Sequence, residues 1–258
     1  MARTVIPSAR TAISTEHFAI RDYPNALLFN GGNLPDARIT NFDPTGSSGQ
    51  FMTAAMWYKQ QGQNLNGVFF SQFDYGVSPG QRSWNLGINN NNWRVNVSDT
   101  GAGNTKRYDS PSPVTDGAWH LFVITWDNGT LKLYKDGAEI TPSKVIDGAM
   151  TTLHASTADV MIGSQLSNNN DADKADGFTG PCWLWSDVLS AVEISDLYYN
   201  AVVPQDNLEL EILFGEGSGT SVADTSGNSR NATISAPDWQ TGPFAARTVI
   251  PSARTAIS

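Results

Sequence analysis

The chain has 258 residues and carries 25 acidic against 16 basic side chains, a formal net charge of −9. This balance excludes a general affinity for nucleic acid, because phosphate binding needs clustered Lys and Arg, and the single Cys182 excludes an internal disulfide. Neither a long apolar run nor a basic segment followed by an apolar one at Met1 occurs, so we expect no membrane span, no signal peptide and a protein made soluble in the cytoplasm.

Short runs of β-branched and aromatic residues, separated by Gly, Asn, Asp, Ser and Pro, predict an all-β domain. A chain of this length suits a single sandwich, and eight Trp, eleven Phe and seven Tyr provide large apolar side chains for its core. The predicted strands are, in chain order, 26–29, 51–59, 68–73, 83–88, 93–97, 120–126, 130–135, 159–162, 182–185, 208–214 and 232–234.

Two local signals are specific. In the segment 130–135 the alternation places Leu131, Leu133 and Lys135 on one face, and the following Asp-Gly dipeptide at 136–137 predicts a two-residue hairpin turn. Ser190 followed by Glu193 is a capping-box pattern, which predicts a short helix running to residues 197–199 before Pro204. We expect this to be the one regular helix.

The thirteen residues 2–14 recur without a mismatch as residues 246–258, one copy at each end. Neither copy contains an acidic residue, and Pro7 forbids a continuous helix in the first. Extended Thr, Val and Ile segments suit strand addition to the edge of a neighbouring sheet, while arginines suit acidic hollows on a partner. We therefore predict two docking arms, with contacts made by Arg3, Ile6, Arg10, Ile13, Arg247, Ile250, Arg254 and Ile257.

Three motifs follow one another between the arms. The first is ALLFNG at 26–31 with FMTAAMW at 51–57; the second is DGAWHLFVITWD at 116–127 with LYKDG at 133–137; the third is IG at 162–163 with GFTGPCWLWSDVLSAVEI at 177–194. Together they resemble the laminin-G-like branch of the concanavalin A-like lectin and glucanase superfamily. The resemblance implies an all-β, two-sheet antiparallel jelly-roll sandwich with one short helix, here between extended arms at 1–14 and 245–258 and spanning 15–244.

The strand order differs from the family pattern. Residues 208–244 resemble the family's opening segment, yet here they come last, so the order is circularly permuted. If the first and last strands lie side by side, joining residue 244 to residue 26 through one copy of the repeat restores the usual order. The alternative is that such sandwiches borrow this strand at either end.

Catalytic groups are not apparent in the sequence. The glucanase branch of the superfamily uses carboxylates at a Glu-x-Asp-x-(x)-Glu spacing, and no such string occurs. Glu209 and Glu211 share a strand face, but the apolar residues between them favour a structural sheet edge. We therefore expect no catalytic residue and no enzymatic activity.

The histidines and the cysteine also give no indication of a catalytic site. His17, His120 and His154 are isolated in the sequence, and the family resemblance gives His120 a structural role after Trp119. Cys182 lies between Pro181 and Trp183 and is interpreted as a core thiol, since a reactive cysteine needs exposure and a partner base.

Two polar clusters are candidate binding sites. Oxygen-bearing side chains at 168–176 suit calcium, with Asn170, Asp171, Asp173 and Asp176 as the ligands, although a solvated loop is the favoured reading. A second cluster, formed by Asn90, Asn91, Asn92 and Trp93, could present amides and an aromatic face to a sugar, although Asn-rich hairpin tips also occur simply as turns.

These observations lead to an interpretation as a non-enzymatic virion protein. It would be a homo-oligomeric decoration or spike protein on a phage surface, assembled in the host cytoplasm and docked by its arms to the major capsid protein or another virion protein. Its lectin-like sandwich would face host-surface glycans, with no cofactor required and calcium as the one ion to consider. The alternative is an extracellular carbohydrate-binding module or glycan-degrading enzyme of the same superfamily. Neither nucleic acid nor membrane is expected as a partner.

Overall fold

The computed structural model describes residues 23–30, 36–40, 42–45, 48–61, 66–114 and 116–244. Both copies of the terminal repeat, with the predicted docking residues, lie outside this part of the chain. One helix is described, α1 at Ala191–Tyr199, and the strands are Tyr23–Asn30 (β1), Asp36–Ile39 (β2), Phe51–Gln60 (β3), Asn66–Asp74 (β4), Gln81–Asn89 (β5), Asn92–Gly101 (β6), Lys106–Pro113 (β7), His120–Asp127 (β8), Thr130–Lys135 (β9), Ala138–Ile140 (β10), Ser143–Asp147 (β11), Val160–Ile162 (β12), Gln165–Ser167 (β13), Asn170–Ala172 (β14), Asp176–Trp185 (β15), Leu208–Ile212 (β16), Ser221–Val222 (β17), Ala232–Ser235 (β18) and Trp239–Phe244 (β19).

The strands form two sheets that pack face to face. The first has the order β10-β9-β8-β3-β15-β1-β19, with β16 also paired to β15. The second has the order β11-β7-β6-β5-β4-β12-β2-β18-β17, and the β13–β14 hairpin joins it through β4. Apart from the short parallel contact of β13 with β4, these pairings are antiparallel, which confirms the predicted jelly-roll sandwich.

The alternation of each strand decides which side chains enter the core. Along β6, Trp93, Val95 and Val97 are fully buried and belong to the core cluster between the sheets. The residues between them point the other way because successive side chains of a strand face opposite sides of the sheet. The outer face of the second sheet is therefore built from the polar half of the same strands.

The outer face of the first sheet is covered by α1. Ile194 and Leu197 of the helix are buried in a cluster with Trp57, Trp183 and Trp185. The helix begins as predicted, because Ser190 Oγ accepts a hydrogen bond from the Glu193 backbone N–H and the Glu193 carboxylate accepts one from the Ser190 backbone N–H. No described helix has the length and apolar character needed to cross a membrane.

The predicted hairpin at 136–137 is also confirmed. Lys135 pairs with Ala138 across the turn, and both turn residues have positive φ, 53° at Asp136 and 81° at Gly137. Positive φ at both central residues defines the type I′ turn that Asp-Gly favours.

The sequence prediction missed several strands. The longest of them, β7, has the polar sequence KRYDSPSP yet pairs with β6 on one side and β11 on the other. In the opposite direction, the strand expected at 208–214 ends at Ile212. Phe214 adopts a φ of 54°, a conformation that does not belong to a strand.

Candidate functional site

A polar cleft lies on the outer face of the second sheet and encloses about 230 Å³. Its floor comes from β4, β5 and β6, and one wall comes from the β13–β14 hairpin and the residue after it. The lining residues are Asn66, Gly67, Val68, Asn85, Gly87, Ile88, Asn89, Arg94, Asn96, Gln165 and Asp173.

Four side-chain amides form a chain of hydrogen bonds, which we call the amide relay, and three of them line the cleft. Asn104 Nδ2 donates to Asn96 Oδ1 at 3.0 Å, and Asn96 Nδ2 donates to Asn85 Oδ1 at 2.8 Å. Asn85 Nδ2 then donates to Gln165 Oε1 at 2.6 Å, and Gln165 Nε2 donates to Asp173 Oδ2 at 2.6 Å. The relay joins residues that are far apart in sequence, because β5, β6 and β13 meet at this point of the sheet.

Asp173 determines the direction of the relay. An ionised carboxylate only accepts hydrogen bonds, so Gln165 must direct its NH₂ group at Asp173 and its oxygen at Asn85. The same logic then orients Asn85 and Asn96. Each of these three amides keeps one further N–H and one further lone pair, and all three are buried at the cleft. The cleft thus offers fixed donors and acceptors side by side.

An ion pair lies at the edge of the cleft floor, where Arg94 of β6 lines the cleft. Arg94 Nε and NH2 donate to the two carboxylate oxygens of Asp109 at 2.9 and 2.8 Å. This two-bond geometry holds the guanidinium group in place and offsets its charge. At the rim, Asn89 Nδ2 donates to Asn66 Oδ1 at 2.7 Å.

Two glycines permit the close packing beneath the cleft. A Cβ on Gly67 would come within 2.5 Å of the Lys174 carbonyl oxygen, and one on Gly87 within 2.5 Å of the Gly67 carbonyl oxygen. Side chains at these positions would therefore push the hairpin wall and the floor strands apart.

Residues 32–195 match a laminin G family of the concanavalin A-like lectin/glucanases superfamily. The chain belongs to this family. No curated protein sequence matches this laminin G-like domain.

Solved structures share its fold. A candidate carbohydrate-binding protein from Bacteroides ovatus is 13% identical with a TM-score of 0.64, and the match covers 86% of this chain and 60% of that one. The heptameric SAP-like pentraxin of Limulus polyphemus is 15% identical, with a TM-score of 0.52 and coverage of 68% and 82%. The CBM40 of the Ruminococcus gnavus IT-sialidase is 17% identical, with a TM-score of 0.51 and coverage of 69% and 99%. The laminin G-like domain thus spans little more than half of the Bacteroides protein.

The sheet pairing bears on the permuted strand order predicted from the sequence. The last strand, β19, pairs with the first, β1, and Tyr23 lies opposite Phe244. Residues 208–244 supply β16 and β19 to the first sheet and β17 and β18 to the second. The first and last strands therefore lie side by side, as the permutation hypothesis requires.

The sugar-contacting role predicted for Trp93 is wrong. Its side chain is fully buried and lies 4.9 Å, between ring centroids, from Phe122 in the core, so no aromatic face is available to a ligand. Asn90 and Asn91 form the β5–β6 turn with φ of 49° and 69°, and Asn92 begins β6. None of the three lines the cleft, whereas the neighbouring Asn89 does; their role in sugar binding stays a prediction.

The predicted calcium ligands have other partners. Asp171 pairs with Arg38 at 3.1 Å and Lys174 at 3.6 Å, and Asp173 accepts from Gln165. Asn170 bonds the backbone of its own loop, and Asp176 begins β15. Within the described ranges, no group of three or more His, Cys, Asp or Glu side chains is arranged to hold a metal ion, so calcium binding stays a prediction.

Two carboxylates considered for catalysis make structural contacts. Glu211 is buried and accepts from Trp183 Nε1 at 3.1 Å and from Thr225 Oγ1 at 2.8 Å. Glu209 pairs with Arg230 at 2.7 Å.

The cysteine and one histidine occupy structural positions. Cys182 is fully buried, which raises the pKa of its thiol well above the ordinary value and confirms the core-thiol interpretation. His120 lies between two carboxylates, with Nδ1 2.7 Å from Asp136 and Nε2 3.0 Å from Asp116. It joins the start of β8 to the turn at 136–137, as expected for a structural histidine.

Proposed function

We propose that this laminin G-like domain is a non-catalytic carbohydrate-binding domain and that a saccharide binds in the polar cleft. The observation that carries the proposal is the amide relay. A sugar hydroxyl donates one hydrogen bond and accepts others, and Asn85, Asn96 and Gln165 present unused donors and acceptors in fixed orientations. Because the relay holds these amides in place, little side-chain entropy is lost when the ligand binds.

The shared fold supports the proposal. Both the Bacteroides ovatus protein and the Ruminococcus gnavus CBM40 bear names that refer to carbohydrate binding or to a module of a sialidase. At identities of 13% and 17%, the shared fold does not locate the binding surface on this chain, and the geometry of the cleft favours the cleft as that surface.

The arrangement of acids supports binding rather than hydrolysis. A glycosidase of the common type needs two carboxyl groups flanking the scissile bond. Asp173 is the one acidic residue that lines the cleft in the described part of the chain, and it is hydrogen-bonded to Gln165. The nearby Asp109 is paired with Arg94.

A glycan array, followed by calorimetry on the best ligand, tests the proposal. We expect Asn85→Ala to weaken binding about tenfold or more, because hydrogen-bonding amides at the centre of the relay are lost. Asn200→Ala removes an amide beyond the helix C-terminus, far from the cleft, and should leave affinity unchanged. Equal affinity of both variants and the unmodified protein would place the binding site elsewhere. Release of sugar from any bound glycan would show an enzyme instead.

We also propose, as a second role, display on a virion surface with the terminal repeats as paired docking arms. One observation favours it: because Tyr23 pairs with Phe244, the described chain begins and ends at neighbouring points of the first sheet, and the two identical segments are the sequences that precede and follow these points. Two such arms can act together if their receiving sites are suitably spaced. Co-sedimentation with phage particles, with and without residues 2–14 and 246–258, tests this role. Undiminished occupancy of the shortened protein would contradict it.

A further inference from the structure

We propose that the cleft takes an acidic saccharide and that Arg107 pairs with the ligand's carboxylate or sulfate group. This inference rests on the carbohydrate-binding function proposed above and adds the charge and orientation of the ligand. It follows from the position and the missing partners of one arginine at the end of the amide relay.

Arg107 continues the row of side chains just beyond the cleft floor and does not itself line the cleft. It lies on β7 directly opposite Asn96, which in turn lies opposite Asn85. Residues paired in this way project from the same face of a sheet, with Cβ atoms about 5 Å apart. Arg107 therefore stands beside the Asn96 end of the relay, on the outer face of the sheet.

Among the residues that the structure describes, the guanidinium group of Arg107 has no counter-ion. Its Nε is buried and lacks a hydrogen-bond partner, and the side chain makes no ion pair within the described residues. Arg94 and Arg38 on this sheet differ, since Arg94 pairs with Asp109 and Arg38 pairs with Asp159 and Asp171. Arg82 shares the unpartnered Nε but packs over the Phe73 ring and does not lie opposite a relay residue. An arginine is always charged, and a half-buried unpaired charge is unfavourable, so an anionic ligand group would be stabilised here.

A second unpartnered atom lies on the residue that donates to Asn96. Asn104 donates to Asn96, but its Oδ1 is buried without a hydrogen-bond partner in the described part of the chain. A buried acceptor and a buried donor, each unsatisfied, thus adjoin the same relay residue. Both of these atoms are covered, so the acidic group of a ligand would pair with the terminal nitrogens of the Arg107 guanidinium group and not with Nε.

Charge also orients the ligand. Asp173 lies at the other end of the relay and would repel an anion, so the acidic group is directed to Arg107. The whole chain is acidic, with a net charge of −9, and its general field repels anions. Selection of an acidic sugar therefore depends on a local cation, and Arg107 is placed to supply it.

Matched glycans test the proposal: lactose, 3′-sialyllactose and 3′-sulfolactose, together with uronate oligosaccharides and their neutral methyl esters, measured on the intact protein by array and calorimetry. We expect the acidic member of at least one pair to bind about tenfold or more tightly than its neutral counterpart, and added salt to reduce that preference. The sialylated, uronate and sulfated probes distinguish carboxylate from sulfate recognition.

Arg107→Gln should weaken binding of the acidic member about tenfold or more, so that the acidic and neutral members then bind alike. Lys59→Ala, which removes a cation from the first sheet, is the charge-matched control and should have no effect; thermal unfolding checks that both variants fold. A neutral glycan bound as tightly as its acidic partner, with Arg107→Gln silent, would overturn the acidic-ligand inference alone. Absence of binding to every glycan would instead remove the carbohydrate-binding function on which it rests.

Discussion

The carboxylate of Asp173 accepts a hydrogen bond of 2.6 Å from Gln165 Nε2, and this single bond sets the orientation of the amides that follow it across the cleft. Asp173 can do this because it terminates the relay with a group that cannot donate. The arrangement makes the cleft a preorganised surface rather than a set of freely rotating amides.

Asp173→Asn is therefore predicted to weaken glycan binding without unfolding the domain. An Asn tolerates the left-handed backbone at this position, where φ is 46°, but its amide can donate as well as accept. The relay can then run in either direction, and we expect a loss of affinity of several-fold by calorimetry. Asp196→Asn, on the helix, is the matched control. If Asp173→Asn binds as tightly as the unmodified protein, the relay direction does not matter for recognition.

His120 predicts a pH dependence of stability. Burial lowers the pKa of His120, but hydrogen bonds to Asp136 and Asp116 outweigh this and raise the pKa above its ordinary value of 6.5. A raised pKa in the folded state means that protonation stabilises the fold. The stabilisation is complete below about pH 6.5 and is lost as the pH rises through the higher, folded-state pKa.

Thermal unfolding between mildly acidic and alkaline pH measures this effect. The melting temperature should fall across that range, and His120→Gln should remove most of the fall, whereas His154→Gln should retain it. A profile for His120→Gln that follows the unmodified protein would show that the two carboxylates do not stabilise the imidazolium form.

Trp93 should matter for stability and not for ligand contact. Trp93→Ala is expected to lower the free energy of unfolding by about 3–5 kcal/mol, because it leaves a large cavity in the core, whereas Trp93→Phe should be milder and still fold. Denaturant unfolding measures the free energy of unfolding of each variant, and calorimetry on Trp93→Phe measures its affinity for glycan. If Trp93→Phe folds but no longer binds glycan, Trp93 contacts the ligand after all, contrary to its buried position in the structure.

The pairing of β1 with β19 predicts that a circular permutant folds. Linking residue 244 to residue 23 and opening the chain between Gln205 and Asp206, both exposed, should preserve the sandwich, because the joined ends already lie side by side. We expect a cooperative unfolding transition within a few degrees of the original chain and unchanged glycan affinity. A permutant that fails to fold would show that this edge depends on its native connection.

Local signals in the sequence were enough for part of the fold. The Ser190 and Glu193 capping box and the Asp-Gly turn are short-range features whose chemistry is complete within a few residues. The strand β7 cannot be predicted from its composition because its residues are polar. Backbone pairing with β6 on one side and β11 on the other holds it in the sheet. Trp93 was misplaced because its neighbours in sequence are asparagines, although its alternation with Val95 and Val97 already favoured the core face.

The cleft could not be predicted from the sequence for a related reason. The four relay amides come from three strands and one loop, and only the register that places Asn85 opposite Asn96, with Gln165 hydrogen-bonded to Asn85, makes them one site. In the sequence, each of these residues is an Asn or Gln of the kind usually found on a protein surface. Along β5 and β6, amides alternate with large apolar residues. This alternation predicts a polar outer face, but it does not predict that the amides are hydrogen-bonded to one another.

Side-chain amide NMR measures the central claim most directly. In a titration with the best glycan, the NH₂ resonances of Asn85, Asn96 and Gln165, assigned by single-site variants, should shift together and saturate at the calorimetric affinity. Shifts confined to Asn90 and Asn91 at the hairpin tip, or to the first sheet, with these three amides unmoved, would contradict binding in the cleft.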